Sequence, residues 1–406
     1  MDRKSFTLIE LLIVLSILAL IVGLLISIIK PAEIYKKVRD NQRIVDLNYL
    51  DSNIKSYLLL ANPSTIYTTS TLNKIFLSLK LPSSATNTDC RNYFPDLPSL
   101  PYGWTYVCSK NPTSTDGTGW LPINFQNYML YSISNLPLDP FNNSTYYYAF
   151  VASGTDFILY TMLEDPKNQA SKNDGDNYPH LYSAGTNKRL IDQAQGLVGY
   201  WPFDEGPGTI AYDYSGNGNN GTLVNFNFTA TSGWTTGKVG GALSFDGVDD
   251  RVTLSDDPFD FSGDFTISLW ASAPQGTSGM SMISKGAYFS ISPGYHISSA
   301  FSPADFLFEI SDATGRTYAQ FYSGVSWSGW RHFVAVKTAT RIRTYLDGGL
   351  KATVTHTRGS LANSLVLEIG RTSGGARWFK GLIDEVRIYN RALSDSEIKA
   401  LYEAIR

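Results

Sequence analysis

The 406-residue chain has little of what builds compact metal and catalytic centres. Its two cysteines and four scattered histidines exclude a zinc-type Cys/His cluster. No HExxH motif and no nucleophile elbow is present, which argues against metalloprotease and hydrolase chemistry. The formal net charge of −3 gives no reason to expect nucleic acid or an acidic polymer as a partner. The length exceeds that of one ordinary domain, so two or three domains are expected.

Charge is also absent from one long stretch, residues 6–29, apart from a single carboxylate at Glu10. A helix of about 24 residues is about 36 Å long, enough to span a hydrocarbon core of about 30 Å. The run is longer than the apolar part of a signal peptide, and it ends at Lys30-Pro31 without a small-x-small cleavage site. It therefore predicts a membrane helix. A plain anchor, with Glu10 reaching toward the headgroups, is the alternative.

The residues around this stretch carry a more specific signal. Lys4-Ser5 followed by Phe-Thr-Leu-Ile-Glu resembles the class III leader of the bacterial type IV pilin and type II secretion pseudopilin superfamily. The resemblance implies cleavage by a prepilin peptidase between Ser5 and Phe6, where Ser5 replaces the usual glycine, and methylation of the new amino terminus. It also implies that Glu10 pairs with the Phe6 ammonium of the same or a neighbouring subunit in a filament, because an unpaired buried charge is costly.

Beyond the apolar stretch the pattern stays helical as far as Asn62-Pro63. The predicted apolar stripe of this helix consists of Ile34, Val38, Val45, Ile54 and Leu58. Residues 136–165 indicate short tyrosine-rich strands. They resemble the sheet region of major pseudopilins, in which an element like Asp139-Pro140 precedes strand tyrosines such as those at 146–148. A small pilin-like α+β domain is therefore predicted over residues 30–167, with an unrelated α+β domain as the alternative.

The predicted domain contains one candidate disulfide, and an acidic loop at its end, residues 163–177, is a candidate metal site. Cys90 and Cys108 are close in sequence, and a soluble part outside the cytoplasm favours a disulfide between them. Major pseudopilins carry a calcium loop near the end of this domain, and the hard oxygen ligands here are Glu164, Asp165, Asp174 and Asp176. Solvated acidic residues of a linker are the alternative. The polar segment 168–195 is predicted to be the interdomain linker.

From Gly196 onward the chain consists of many short alternating runs separated by Gly, Asp and Asn, which predicts a β-sandwich. The motifs WPFDEG, FDGVDD and GLIDEV occur in this order. They resemble those of the laminin G-like, concanavalin A-like jelly roll over residues 196–406. The predicted fold class is therefore multidomain: a long N-terminal α-helix with a small pilin-like α+β domain, then an all-β concanavalin A-like sandwich.

Two local patterns refine the prediction for the sandwich. Trp330, Tyr345 and Asp347-Gly348 fit the central hairpin of the resembled family, in which a tryptophan strand leads to a Tyr-x-Asp-Gly turn. Independently of any family, Ser394 and Glu397 form a capping box. This box predicts a helix at the C-terminus of the chain.

The resemblance also implies one structural calcium ion in the sandwich. The positions that match the family's ligands are Asp204, Asp246 and Asp384, and the segment DYSGNGN adds Asp213, Ser215, Asn217 and Asn219. Oxygens at alternating positions of a tight loop converge on one point, as calcium requires. The alternative is that these residues make turns by bonding to their own backbone.

Catalysis by the sandwich is not expected. Related glucanases place two glutamates around an aspartate on one strand, because two carboxyls must flank the scissile bond about 5–10 Å apart. The chain has no Glu-x-Asp-x-x-Glu run. Asp384 and Glu385 are adjacent, so on a regular strand they point to opposite faces.

Together these patterns predict a single-pass protein of the cytoplasmic membrane whose soluble domains are extracytoplasmic. It is a pilin-like filament subunit that presents a lectin-like domain for adhesion or carbohydrate binding. Expected partners are a prepilin peptidase, other pilin or pseudopilin subunits, the membrane, and a glycan or protein ligand. The first alternative is a minor pseudopilin whose sandwich recognises secreted cargo. A membrane-tethered enzyme that processes glycans is the least favoured alternative.

Overall fold

The structure, a computed structural model, covers most of the chain. It describes residues 8–60, 73–101, 103–127, 133–153, 156–188, 190–274, 279–286, 292–299, 305–322, 328–373, 375 and 377–405. The predicted cleavage site between Ser5 and Phe6 lies outside the described residues, as does the side chain of Glu10.

Five helices and twenty-one strands are present in the described residues. The helices are α1 (Leu8–Ile29), α2 (Pro31–Leu60), α3 (Gln169–Lys172), α4 (Leu190–Gln195) and α5 (Asp395–Ile405). The strands before residue 196 are β1 (Lys74–Lys80), β2 (Thr105–Ser109), β3 (Ala149–Ser153), β4 (Asp156–Met162) and β5 (Leu181–Gly185). The later strands are β6 (Leu197–Trp201), β7 (Ile210–Ala211), β8 (Gly221–Val224), β9 (Gly233–Thr236), β10 (Gly241–Asp246), β11 (Arg251–Thr253), β12 (Phe265–Ser272), β13 (Ser281–Lys285), β14 (Gly294–Ser299), β15 (Asp305–Asp312), β16 (Gly315–Tyr322), β17 (Arg331–Lys337), β18 (Arg341–Leu346), β19 (Gly349–Thr355), β20 (Glu368–Ile369) and β21 (Lys380–Tyr389).

The N-terminal helical run is divided in two at Lys30. This residue has a positive φ of 44°, and Pro31 begins α2, where a proline ring is tolerated because the first N–H of a helix has no partner. The aliphatic side chains described from Leu11 to Val22 are 45–68% exposed. Among the residues that the structure describes, no helix has both the length and the hydropathy needed to cross a membrane. The membrane span stays a prediction.

Helix α2 packs on a five-stranded sheet, here called sheet 1, with the strand order β2-β1-β3-β4-β5. The residues of α2 that are buried, spaced three and four apart, are Asp40, Arg43, Leu47, Leu50 and Ile54. Three members of the predicted stripe, Ile34, Val38 and Val45, are instead 48–62% exposed on the helix surface. That part of the prediction is wrong, because two charged residues occupy the buried face. α2, sheet 1, α3 and α4 form the helix-and-sheet domain.

The sandwich, from β6 to α5, consists of two eight-stranded sheets. Sheet 2 has the order β19-β18-β17-β12-β21-β10-β9, and β6 also pairs with β21. Sheet 3 has the order β16-β15-β14-β13-β20-β11-β8-β7. The inner faces meet in one apolar core that includes Ile267, Leu269 and Phe308. Asp347 and Gly348 have φ values of 51° and 75° and form the two-residue turn between β18 and β19, which confirms the predicted hairpin.

A second apolar layer joins the sandwich to the helix-and-sheet domain. Ile75 and Leu77 of β1 project to one side of sheet 1 and lie in the same buried cluster as Val334 and Val336 on the outer face of sheet 2. Helix α4 contributes Ile191 to this cluster, which is here called the shared core. Sheet 1 is therefore covered by α2 on one face and by the sandwich on the other.

Polar contacts reinforce the shared core at the start of α5. The guanidinium of Arg391 donates to the backbone and side-chain oxygens of Gln195 at 2.6 Å each, and it pairs with Glu397 at 2.7 Å. Ser394 and Glu397 exchange the hydrogen bonds of the predicted capping box, at 2.8 and 3.3 Å. All of the Arg391 contacts are buried, so they hold the sandwich directly against the end of α4.

The segment 168–195 differs from the predicted linker. It contains α3, the edge strand β5 of sheet 1 and α4. Tyr178 and Leu181 are buried in the shared core, and Asp174 accepts a hydrogen bond from the N–H of Ser183 at 2.8 Å. Its Gly, Asn and Asp residues thus make turns between packed elements.

Candidate functional site

The predicted calcium loop DYSGNGN is a turn whose side chains bond to the backbone. Asp213 Oδ1 accepts from the N–H groups of Tyr200 and Ser215 at 3.0 and 2.9 Å, and Oδ2 accepts from the N–H of Asn219 at 2.9 Å. The amide nitrogens of Asn217 and Asn219 donate to the carbonyl of Val198 at 3.1 and 2.8 Å. These contacts fasten the loop to β6 and support the turn alternative for this segment.

Asp204 and Asp384 flank a different loop, formed by residues 237–241. Asp384 Oδ2 accepts from the N–H groups of Lys238 and Val239 at 2.8 and 3.1 Å, and Asp204 Oδ1 accepts from the N–H of Gly241. A Cβ atom at residue 237 or 240 would collide with these carboxylates, so glycine permits the close approach.

Asp384 carries a buried acceptor that the described residues leave unsatisfied. Its side chain is fully buried, and Oδ1 has no hydrogen-bond partner in the described part of the chain. Burial, with a smaller contribution from the charge of Glu385, raises the pKa of Asp384 to about 8. A buried carboxylate oxygen of this kind fits a hard cation, which would neutralise the charge that burial disfavours.

Asp246 belongs to one of two carboxylate groups that lie close enough to share an ion. Asp246, Asp249 and Asp250 have ligand atoms within 4.8 Å of one another. Asp250 is held by the hydroxyl of Ser232 at 3.0 Å and by the N–H of Asp246 at 2.9 Å, and burial raises its pKa to about 6.

The second group, Asp256, Asp257 and Asp260, already has a cation, because the buried Lys285 Nζ contacts Asp260 at 2.6 Å and also Asp256. Within the described ranges no other such group occurs. The six predicted ligands, Asp204, Asp213, Asn217, Asn219, Asp246 and Asp384, are therefore not gathered at one point.

A β-bulge changes the geometry of Asp384 and Glu385. Glu385 has a φ of 55°, and the pairing of β12 with β21 shifts between Ser268 and Trp270. Glu385 accepts from the hydroxyl of Tyr200 at 2.9 Å and pairs with Arg387 at 2.6 Å on the outer face of sheet 2. The expectation that the two carboxylates point to opposite faces is wrong, because the extra residue of the bulge resets the alternation.

The acidic loop of the helix-and-sheet domain forms ion pairs with two arginines of α2. Arg43 donates to Asp139 at 2.6 Å, to Asp40 at 2.9 Å and to Glu164 at 2.7 Å, and Arg39 pairs with Glu164 at 2.6 Å. These five residues are here called the Arg43 cluster. Although burial opposes ionisation, the hydrogen bonds from the two arginines lower the pKa of Glu164. A predicted calcium ligand thus has two cationic partners from the chain itself.

Cys90 and Cys108 form a disulfide with an S–S distance of 2.03 Å and a Cα–Cα distance of 5.3 Å, which confirms the prediction. Both residues are buried on the sandwich side of sheet 1, in the shared core. The disulfide therefore ties the β2 region to the layer that holds the two domains together.

An interdomain cleft that the sequence did not predict lies beside β6 and β21. Its volume is about 310 Å³. One wall comes from residues 171–179 of the helix-and-sheet domain, and the other includes Tyr200, Asp204, Tyr214 and Arg387 of the sandwich. The walls are far apart in sequence, so no local pattern signals the cleft.

Comparisons with known proteins agree with the architecture. Residues 246–399 match the family model of the concanavalin A-like lectin/glucanases superfamily. Residues 1–26 match the model of the prokaryotic N-terminal methylation motif. Both resemblances are confirmed. A pilin-type leader and a lectin-like jelly roll therefore occur on one chain. The comparison with curated proteins found no match.

Solved structures with a similar sandwich include domain 4 of AbnA, a GH43 extracellular arabinanase from Geobacillus stearothermophilus, in complex with arabinotriose. It is 21% identical with a TM-score of 0.41, over 51% of this chain and 98% of that one. The binding domain of Paraclostridial Mosquitocidal Protein 1 is 17% identical with a TM-score of 0.40, over 51% and 52% of the two chains. The binding domain of botulinum neurotoxin serotype G is 13% identical with a TM-score of 0.40, over 51% and 50%.

Proposed function

We propose that the protein is a pilin-like subunit, anchored in the membrane before assembly, that presents its sandwich as a carbohydrate-binding module on an extracytoplasmic filament. The observation that carries the proposal is the occurrence of the methylation motif at residues 1–26 and the concanavalin A-like match at 246–399 in one chain. Prepilin peptidase and other pilin subunits are the partners of the first segment, and a glycan is the ligand of the second.

The surface of the N-terminal helices supports assembly with other copies or related subunits. The exposed side chains of α2 on the side away from sheet 1 include Ile34, Val38, Val45 and Tyr49. They follow the exposed aliphatic side chains of α1. A helix that is apolar on its outward side gains stability by packing against another helix.

Assembly is tested with Glu10→Ala in cells that express a prepilin peptidase. The variant inserts and is cleaved before Phe6, because neither step needs the carboxylate, but it is missing from filaments sheared from the cells. Ser16→Ala is the matched control, since it removes a hydroxyl that bonds only within α1, to the carbonyl of Leu12. Mass spectrometry of the mature chain reports cleavage, and wild-type yields of Glu10→Ala filaments would refute the pairing with Phe6.

For the sandwich we propose binding and not catalysis. Glu385 is engaged by Tyr200 and Arg387, and the side chain of Asp384 is fully buried, so the two do not present a pair of accessible carboxyls to a glycosidic bond. A glycan array probed with the full chain in detergent tests the binding role. Retention of oligosaccharides supports it, and hydrolysis of any retained oligosaccharide contradicts the exclusion of catalysis.

We also propose a structural calcium ion beside the loop 237–241, with the unsatisfied Oδ1 of Asp384 as its ligand. Calcium would supply the positive charge that the buried Asp384 lacks. Adding calcium should raise the melting temperature of the wild type and leave that of Asp384→Asn unchanged. Asp213→Asn is the control, because that residue serves a turn and its variant should retain the calcium response. A wild type that does not respond to calcium or to a chelator would exclude the ion.

A further inference from the structure

We propose that the interdomain cleft binds a neutral sugar, so that the two domains together form the carbohydrate site. This inference rests on the proposed carbohydrate-binding role of the chain. The cleft has a volume of about 310 Å³, near the lower end of the roughly 300–1,000 Å³ range of ligand pockets. One or two sugar rings fit this space, whereas a folded protein partner does not.

An arginine donor in the cleft wall points to a ligand with hydrogen-bond acceptors. Arg387 is 2% exposed, and its Nε has no hydrogen-bond partner in the described part of the chain. Its Nη1 is taken by Glu385, and its guanidinium lies 3.9 Å from the ring centroid of Tyr200. The arginine is therefore fixed in place while its Nε stays unsatisfied. Buried donors of this kind normally have a partner, and a sugar hydroxyl or ring oxygen can supply one.

The rim of the cleft offers an aromatic face and a carboxylate acceptor. Tyr214 is 46% exposed, its ring lies 6.3 Å from that of Tyr200, and its backbone carbonyl accepts from the side chain of Asn177 at 2.8 Å. Asp204 is exposed, and only its Oδ1 is engaged, by the N–H of Gly241. A half-exposed tyrosine whose backbone is held by Asn177 and whose ring contacts Tyr200 provides an apolar surface for the C–H face of a sugar ring, while the carboxylate accepts from its hydroxyls.

The charges of the lining select a neutral ligand. Glu385 pairs with Arg387, and burial raises the pKa of Asp176 well above its usual range. The lining therefore keeps only Asp204 and Lys172 as opposite charges and has no excess of either sign. Uronic acids and phosphates would find no excess of positive charge here to offset the loss of their hydration, so they are disfavoured. The cleft offers hydrogen-bond donors, acceptors and an aromatic face but no excess of positive charge. Such a lining suits a neutral sugar ring that is rich in hydroxyl groups.

Tyr214→Ala tests the site in the full chain, with binding of short neutral oligosaccharides and matched uronate-containing oligosaccharides measured by calorimetry. We expect Tyr214→Ala to weaken binding of the neutral probe by about tenfold and Tyr214→Phe to retain it. Tyr212→Ala is the matched control, because Tyr212 is 49% exposed on the same segment but does not line the cleft. Unchanged melting temperatures exclude a folding defect.

The outcomes separate this inference from the proposed function. Neutral sugar binding that Tyr214→Ala weakens and Tyr212→Ala does not supports the cleft. Sugar binding that is equal in Tyr214→Ala and wild type refutes the cleft and leaves a lectin role elsewhere on the sandwich. Preference for uronate probes refutes the ligand class. Failure of every oligosaccharide to bind overturns the carbohydrate role and the cleft with it.

Discussion

The Arg43 cluster makes a quantitative prediction about the stability of the helix-and-sheet domain. Arg43→Met keeps an apolar stem of similar length and removes the guanidinium that contacts Asp40, Asp139 and Glu164. Removing one partner of a buried ion pair costs about 3–5 kcal/mol, because the other charge is left poorly solvated. Asp40 and Asp139 each keep two backbone N–H donors, so we expect a loss of stability at the lower end of this range, about 3 kcal/mol.

The pH dependence of this loss is a second check. In the wild type, burial raises the pKa of Asp40 against the opposing effect of its hydrogen bonds to backbone N–H groups and Arg43. Without Arg43 that pKa rises further, so the carboxyl takes up a proton as the pH falls. The proton removes the unpaired charge. The deficit of Arg43→Met should therefore shrink between about pH 7 and about pH 5.

Urea unfolding followed by tryptophan fluorescence measures both effects. Trp120 is buried in the core between α2 and sheet 1, 6.3 Å from the ring of Tyr148, and reports on this domain. Lys55→Met is the control, because it removes only a partly exposed pair with Asp51, worth at most about 0.5 kcal/mol. A loss below about 1 kcal/mol in Arg43→Met, or one that is independent of pH, refutes the reasoning.

Replacing both cysteines of the disulfide by alanine should lower the free energy of unfolding by roughly 3 kcal/mol, the chain-entropy value for a loop of this length. Labelling of both thiols in the unreduced protein would contradict the bond. Stability should also fall by roughly 2 kcal/mol per buried histidine from about pH 7 to about pH 5, because the unfolded state then binds protons that the folded state excludes. Burial lowers the pKa to about 4 in His180 and to about 3 in His296 and His332. Equal urea midpoints at the two pH values would contradict the predicted loss of stability. A fragment that begins at residue 196 loses more than half of the shared core, and light scattering should show that it aggregates under the detergent conditions in which the full chain stays dispersed. A monodisperse fragment with the stability of the full chain would count against the shared core.

Patterns that act over a few residues could be predicted from the sequence. The capping box at Ser394 and the Asp347-Gly348 turn each depend on two or three neighbouring residues, and both occur as expected. The alternating runs of the sandwich likewise reflect the two faces of each strand. The leader is recognised from a handful of residues next to an apolar run.

Features that depend on distant partners could not be predicted. In the sequence, Asp40 and Arg43 indicate a solvated helix face. In the structure they are buried, because their partners Asp139 and Glu164 come from segments about a hundred residues away in the chain. The residue types of β21 do not predict the bulge at Glu385. Residues 168–195 have the composition of a linker, but Tyr178 and its neighbours are buried by an outer face of sheet 2 that the sequence cannot assign as apolar.

The shared core determines how the protein carries a mechanical load. A force applied to the sandwich does not act on a single extended strand, because α4 and α5 are held in the same apolar layer as β1 and β17. The tension spreads as shear across sheet 2 and sheet 1 and reaches α2 through the core that contains Leu47 and Phe150. The buried contacts of Arg391 clamp the point where the chain passes from one domain to the next. We therefore expect the two domains to resist extension as one block, because separating them requires the whole apolar layer to slide before any segment unfolds.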